Sequence, residues 1–133
     1  MTALSIHRGA GALNPGRIIL LALALGACAA PSTPHGRWIG AVTPAAPSAL
    51  CKPSRGVALL RDGEVTFTPD EGTWILLGTA TKDGAIEATR DQPGSGRNRQ
   101  PWATSLDARW TEAAVTGTYT TPRCTYSVAL TRQ

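Results

Sequence analysis

The sequence predicts an all-β domain, a small antiparallel meander of about eight strands closed as a barrel, with a two-layer β-sandwich as the alternative architecture. Three observations carry this expectation. From Arg37 onward, short runs rich in β-branched and aromatic residues are broken by Gly, Pro and Asp turn signals at intervals of about 8 to 12 residues. Within the runs, apolar and polar residues alternate with the period of two that a half-buried strand requires. Beyond the N-terminal segment, no stretch of about 12 residues shows a helical stripe.

Residues 37–42 form the first expected strand. Residues 56–61 and 64–69 follow, joined by Asp62-Gly63, a two-residue hairpin signal because a type I′ turn needs positive φ at both central positions. Asp70-Glu71-Gly72 makes the next turn and leads into a long apolar strand over 73–81. Asp83-Gly84 opens a second hairpin into 85–90. A loop over 91–101 precedes three final strands at 102–111, 114–121 and 125–132.

Alternation assigns the faces. Trp102, Thr104, Leu106, Ala108 and Trp110 share one face of their strand, and Val115, Gly117 and Tyr119 share one face of the next. Tyr126, Val128 and Leu130 alternate with Ser127, Ala129 and Thr131, and Cys124 has the parity of Tyr126, which turns its thiol toward the core. So many strands on so short a chain leave too many edges for one open sheet, and closure hides edges and a thin core together. Short, hairpin-like connections favour a meander over a Greek key.

Before the domain stands an export address. Residues 1–17 are polar and basic, with His7, Arg8 and Arg17 and no acid, and an apolar run begins at Ile18. Carried through Ala30, that run is about 13 residues, short of the about 20 that span a bilayer. Basic, apolar and small segments in that order read as a cleaved signal helix over 1–27. Residues 28–36, rich in Pro and small side chains, read as a flexible tether, and His35 within it as an exposed linker residue. The domain occupies 37–133, and at this size roughly two-thirds of the unfolded surface becomes buried.

Charge and composition exclude several function classes. The formal net charge of the 133-residue chain is +4, but Arg8 and Arg17 belong to the signal, leaving 11 basic residues against 9 acidic ones. Such a balance names no polyanion partner, and nucleic acid is not expected. With His35 alone beyond the signal, a His-based triad or multi-His metal site has no material, so neither metal nor cofactor is expected. Most carboxylates, among them Asp62, Asp70 and Asp83, sit in or beside turns, where they serve backbone geometry. No GxSxG elbow is present, and catalysis is not expected. Gly94-Ser95-Gly96-Arg97-Asn98-Arg99-Gln100 lacks the Lys-Ser/Thr of a P-loop and the third Gly of a dinucleotide fingerprint. Its functional reading is a mobile basic loop in which Arg97 and Arg99, with Arg90 nearby, meet phosphates or carboxylates. Trp38, Trp74, Trp102 and Trp110, with Tyr119, are candidate pocket aromatics at the mouth of a small barrel, where they would stack on sugar or lipid; core filling accounts for them equally well.

Leu25-Gly26-Ala27-Cys28 resembles the lipobox of bacterial lipoproteins. The resemblance implies cleavage just before Cys28, a diacylglycerol on its thiol and acylation, typically with palmitate, of the new amino terminus. Several acyl chains make such an anchor stable. Ala29 stands where an inner-membrane retention signal would carry Asp, which by analogy favours the outer membrane with the domain facing the periplasm. With Cys28 assigned to lipid, Cys51 and Cys124 remain, and an even remainder in an oxidising compartment is most simply one disulfide. A metal or redox pair is the rival, without a CxxC motif or a neighbouring His to support it.

Lipobox, Pro-rich tether, early Trp, disulfide-bridged β-barrel and a terminal Cys-x-Tyr-x-Val-x-Leu strand together look like small envelope lipoproteins. That resemblance implies a non-enzymatic binding or structural module, anchored in the membrane and meeting an envelope protein, peptidoglycan or lipopolysaccharide. A few such proteins inhibit lysozyme or proteases, so inhibition of an exogenous hydrolase, with the 91–101 loop plugging an active site, is the alternative expectation.

Overall fold

The computed structural model describes residues 33–70, 72, 74–94, 97 and 99–133. The signal, Cys28 and its surroundings lie outside them. Eight strands follow one another in chain order: β1 (Gly36–Pro44), β2 (Ser54–Arg61), β3 (Glu64–Thr68), β4 (Leu76–Ala80), β5 (Ala85–Gln92), β6 (Trp102–Trp110), β7 (Ala114–Thr120) and β8 (Thr125–Arg132). Each pairs antiparallel with the next, and β8 returns to β1, so the sheet closes as an up-and-down barrel rather than a sandwich. The seam runs from Trp38↔Arg132 to Pro44↔Tyr126 and leaves no open edge.

Turn chemistry sets the registers. Asp62 (φ 53°) and Gly63 (φ 83°) both take the left-handed conformation that a type I′ hairpin demands, pairing Arg61 with Glu64. At the β4–β5 hairpin, Gly84 N–H donates to the Thr81 carbonyl at 3.1 Å and Gly84 carries φ 103°, a turn followed by a left-handed residue. Where strands bend inward, side chains must vanish: a Cβ on Gly117 would lie 2.3 Å from the Asp107 carbonyl oxygen of β6. The interior is filled by alternate residues from every strand, with Trp38, Phe67, Leu60, Leu76, Ile86 and Leu106 buried. Outward positions carry the charged Arg55, Glu87, Asp107 and Arg109, all exposed, together with the apolar Leu77, which is 64% exposed. Among the described residues no helix is long and apolar enough to cross a membrane.

Several strand limits differ from the sequence reading. β1 starts at Gly36, inside the stretch read as tether; Pro34 is fully buried and the His35 carbonyl accepts from Arg132 Nη2 at 3.0 Å. Those contacts recruit the end of the spacer to the barrel. β4 begins only at Leu76, because Trp74 leaves the ladder to pack against Trp102. β5 runs on to Gln92, paired with Trp102, which draws the base of the 91–101 loop into the sheet.

Candidate functional site

The meander gives the barrel two unlike ends. One holds the start of β1, the hairpins at Asp62-Gly63 and Lys82–Gly84, the β6–β7 turn and the C-terminus. It is plugged. Trp38 is wholly buried there, with the Arg132 guanidinium 5.3 Å from its ring, and Arg132 pairs with Glu112. Trp110, half-buried at the same end, donates from its indole Nε1 to the Thr81 carbonyl at 2.8 Å. Asp83, in the adjoining turn, accepts from the Thr81 hydroxyl; that bond first, and Arg109 also, hold its carboxyl below the usual range.

The other end is open. There Leu50 of the β1–β2 connection, Trp74 ahead of β4, the start of β6 and the β7–β8 turn line a cavity of about 520 Å³, within the about 300–1,000 Å³ typical of small-ligand sites. Trp74, Trp102, Tyr119 and Tyr126 supply its aromatic walls, with Thr104, Arg123 and Leu50 beside them. An adjoining lobe of about 340 Å³ shares Trp74, Tyr119 and Tyr126 and adds Lys52 and Asp70. The aromatics hold one another in place. Trp74 meets Trp102 edge-on at 6.0 Å, Tyr119 stacks on Tyr126 at 5.4 Å, and Tyr119 meets Phe67 edge-on at 5.7 Å.

The disulfide shapes this mouth. Cys51 and Cys124 are bonded, with Cα atoms 5.9 Å apart across a separation of 73 residues. Cys51 precedes β2 and Cys124 precedes β8, the two strands that flank β1, so the bridge ties the wall together around β1's far end. Cys124 itself lines the cavity.

Electrostatically the mouth is mixed. Tyr119 is nearly inaccessible to solvent, and burial first, then the negative charge of Asp70 and the neighbouring Tyr126, pushes its phenol up to about 12. The Thr104 hydroxyl is near enough to oppose that shift yet makes no hydrogen bond of normal geometry. Thr104 Oγ1 and Asp70 Oδ1 are buried without a partner, in the main and adjoining lobes respectively. Arg90 lies 4.7 Å over the Trp74 ring, a cation–π contact that settles it at the mouth.

Of the five aromatics offered by the sequence, the structure brings Trp74, Trp102 and Tyr119 to the mouth and sets Trp38 and Trp110 at the plugged end. Of the three arginines, Arg90 joins the mouth, while Arg97 and Arg99 are exposed in the neighbouring loop. Sequence reasoning missed Tyr126 as a lining residue, although its parity had turned it inward. It also missed Arg123, Lys52 and Asp70, whose places depend on how the loops fold over the opening. No group of three or more metal-ligating side chains occurs among the described residues. No protein-family model matches the chain, and neither a curated protein nor a solved structure does.

Proposed function

We propose that this protein is a lipid-anchored, non-enzymatic binding module of the bacterial cell envelope, and that the open mouth of its barrel is the binding site. The observation that carries the reading is the asymmetry of the barrel. One end is sealed by Trp38 and Arg132, whereas the other keeps an aromatic cavity of about 520 Å³. Side chains that only filled a core would have closed both ends alike. The signal segment and the lipobox-like Leu25-Gly26-Ala27-Cys28 support the anchor and, with Ala29, an outer-membrane address.

The chain enters β1 at Gly36, on the plugged end, and the eight residue steps from Cys28 reach at most about 29 Å. Entry at the plugged end keeps the attachment of the chain away from the mouth and leaves the mouth free for a periplasmic ligand. The alternative, inhibition of an exogenous hydrolase, draws less support, since β5 and β6 stay paired out to Gln92↔Trp102 and shorten the loop it needs.

The test places a photo-crosslinking residue at Leu50, beside the mouth, or at Asp62, on the plugged end, in protein expressed in a bacterial envelope. Adducts from Leu50 and not from Asp62 are expected, with the protein in the membrane fraction at the mass of an acylated 28–133 chain. Equal adducts from both positions, or none, would overturn the mouth as the site, and an unacylated soluble mass would overturn the anchor.

A further inference from the structure

We propose that the mouth holds a pyranose sugar unit bearing an anionic substituent; this rests on the mouth being the binding site. The depth of the cavity makes the first selection. Tyr119 closes its floor against Phe67, and farther along the strands toward the plugged end Trp38, Leu60, Val65 and Ile86 are buried in a filled interior. An acyl chain needs a long apolar shaft, and this barrel has none beneath its tyrosine floor. A compact ligand that lies across the opening fits instead.

The walls make the second selection. Trp102 and Tyr126 are only partly buried, whereas one face of Trp74 is already covered by Arg90. The electron-rich ring faces left open suit the weakly positive C–H face of a pyranose. Thr104 Oγ1 and Asp70 Oδ1, buried and unpartnered, call for a ligand that brings hydrogen bonds with it, because a buried polar group left unmet is costly. Sugar hydroxyls donate and accept at once, so one ring serves the Asp70 carboxylate as donor and the Thr104 hydroxyl as either partner. A plain aromatic or aliphatic ligand would leave both unmet.

Charge makes the third. Among the described residues lining the two lobes, Arg123 and Lys52 outnumber the single carboxylate of Asp70. Arg123 in the main lobe offers a charge-assisted, bidentate donor pair to a carboxylate or phosphate on the ring. Both groups occur on envelope glycans, and the shared chemistry is an anionic pyranose.

Three probes separate the terms: a neutral N-acetylglucosamine disaccharide, its counterpart with a muramic-acid carboxylate, and glucosamine 1-phosphate. Binding to the unlipidated 28–133 chain is read by tryptophan fluorescence and by amide chemical shifts. Saturable binding is expected, tighter for an anionic probe than for the neutral one, with the better of the carboxylate and phosphate probes naming the source. Trp102→Ala is expected to weaken it by at least about tenfold, and Arg123→Gln to remove about tenfold for the anionic probes while sparing the neutral one. Both variants must keep the wild-type circular dichroism spectrum, and Thr104→Val serves in place of Trp102→Ala if that chain fails to fold. If none of the three probes shifts the mouth resonances while Leu50 still crosslinks, the sugar inference falls and the mouth reading stands. Absence of both sinks the two together.

Discussion

Tyr119 stands where the core ends and the mouth begins. Its ring packs edge-on against Phe67 below and stacks on Tyr126 above, and the Asp70 carboxylate acts on its hydroxyl. The phenol is neutral when protonated, so a folded-state value of about 12 against the ordinary 10.0 means that the folded chain holds this proton more tightly than the unfolded one. Stability from this group is complete below pH 10 and is lost as the pH rises through about 12. Thermal melts of the wild type should therefore fall more steeply across that alkaline window than those of Tyr119→Phe, which has no phenol to ionise. Superimposable alkaline profiles would contradict this. The burial of Tyr119 was legible from its parity in 114–121. Its nearness to the Asp70 charge was not, because Asp70 reads as a turn residue and reaches the mouth only through the fold of the chain after β3.

At the level of elements, the hairpins are decided by local chemistry and the strand limits by neighbours. Asp62-Gly63 specifies a type I′ turn because Gly tolerates φ 83° and Asp tolerates φ 53°, whatever the rest of the barrel does. The start of β4 is different: Trp74 has the β-propensity of a strand residue but gains more by packing against Trp102 and beneath Arg90. The disulfide also works between elements, joining the starts of β2 and β8. Replacing both cysteines, Cys51→Ala with Cys124→Ala, should cost about 4 kcal/mol by loop-closure entropy. Urea titration checks it: a lower midpoint with a steeper slope is expected, because the unbridged unfolded chain exposes more surface, and an unchanged midpoint would mean the bridge adds nothing to stability.

For the molecule as a whole, closure governs both folding and function. The seam pairs Trp38 with Arg132, so the barrel is complete only when opposite ends of the chain meet. Loops must close before those pairings form, and folds dominated by such contacts refold in about milliseconds to seconds. Stopped-flow tryptophan fluorescence of the disulfide-intact domain should show a main phase in that range, and microsecond refolding would contradict it. Closure also divides the ends, because an up-and-down meander gathers odd and even connections on opposite rims. The sealed rim carries the chain's entry and exit, and the open rim carries the aromatic cavity.

Sequence by itself determined what depends on near neighbours in the chain. Period-two alternation and turn residues determined the strands, the inward faces, the first hairpin and the all-β class; the inward parity of Cys124 agreed with a disulfide. Tertiary structure alone decided what depends on which strands meet. It chose barrel over sandwich by pairing β8 with β1, and it divided four similar tryptophans between a plug and a mouth. It brought Arg123, Lys52 and Asp70 from three separate connections to one opening. Alternation along a strand reports which face a side chain takes, but not the height at which it sits in the barrel. Height is set by register and closure, and those belong to the folded whole.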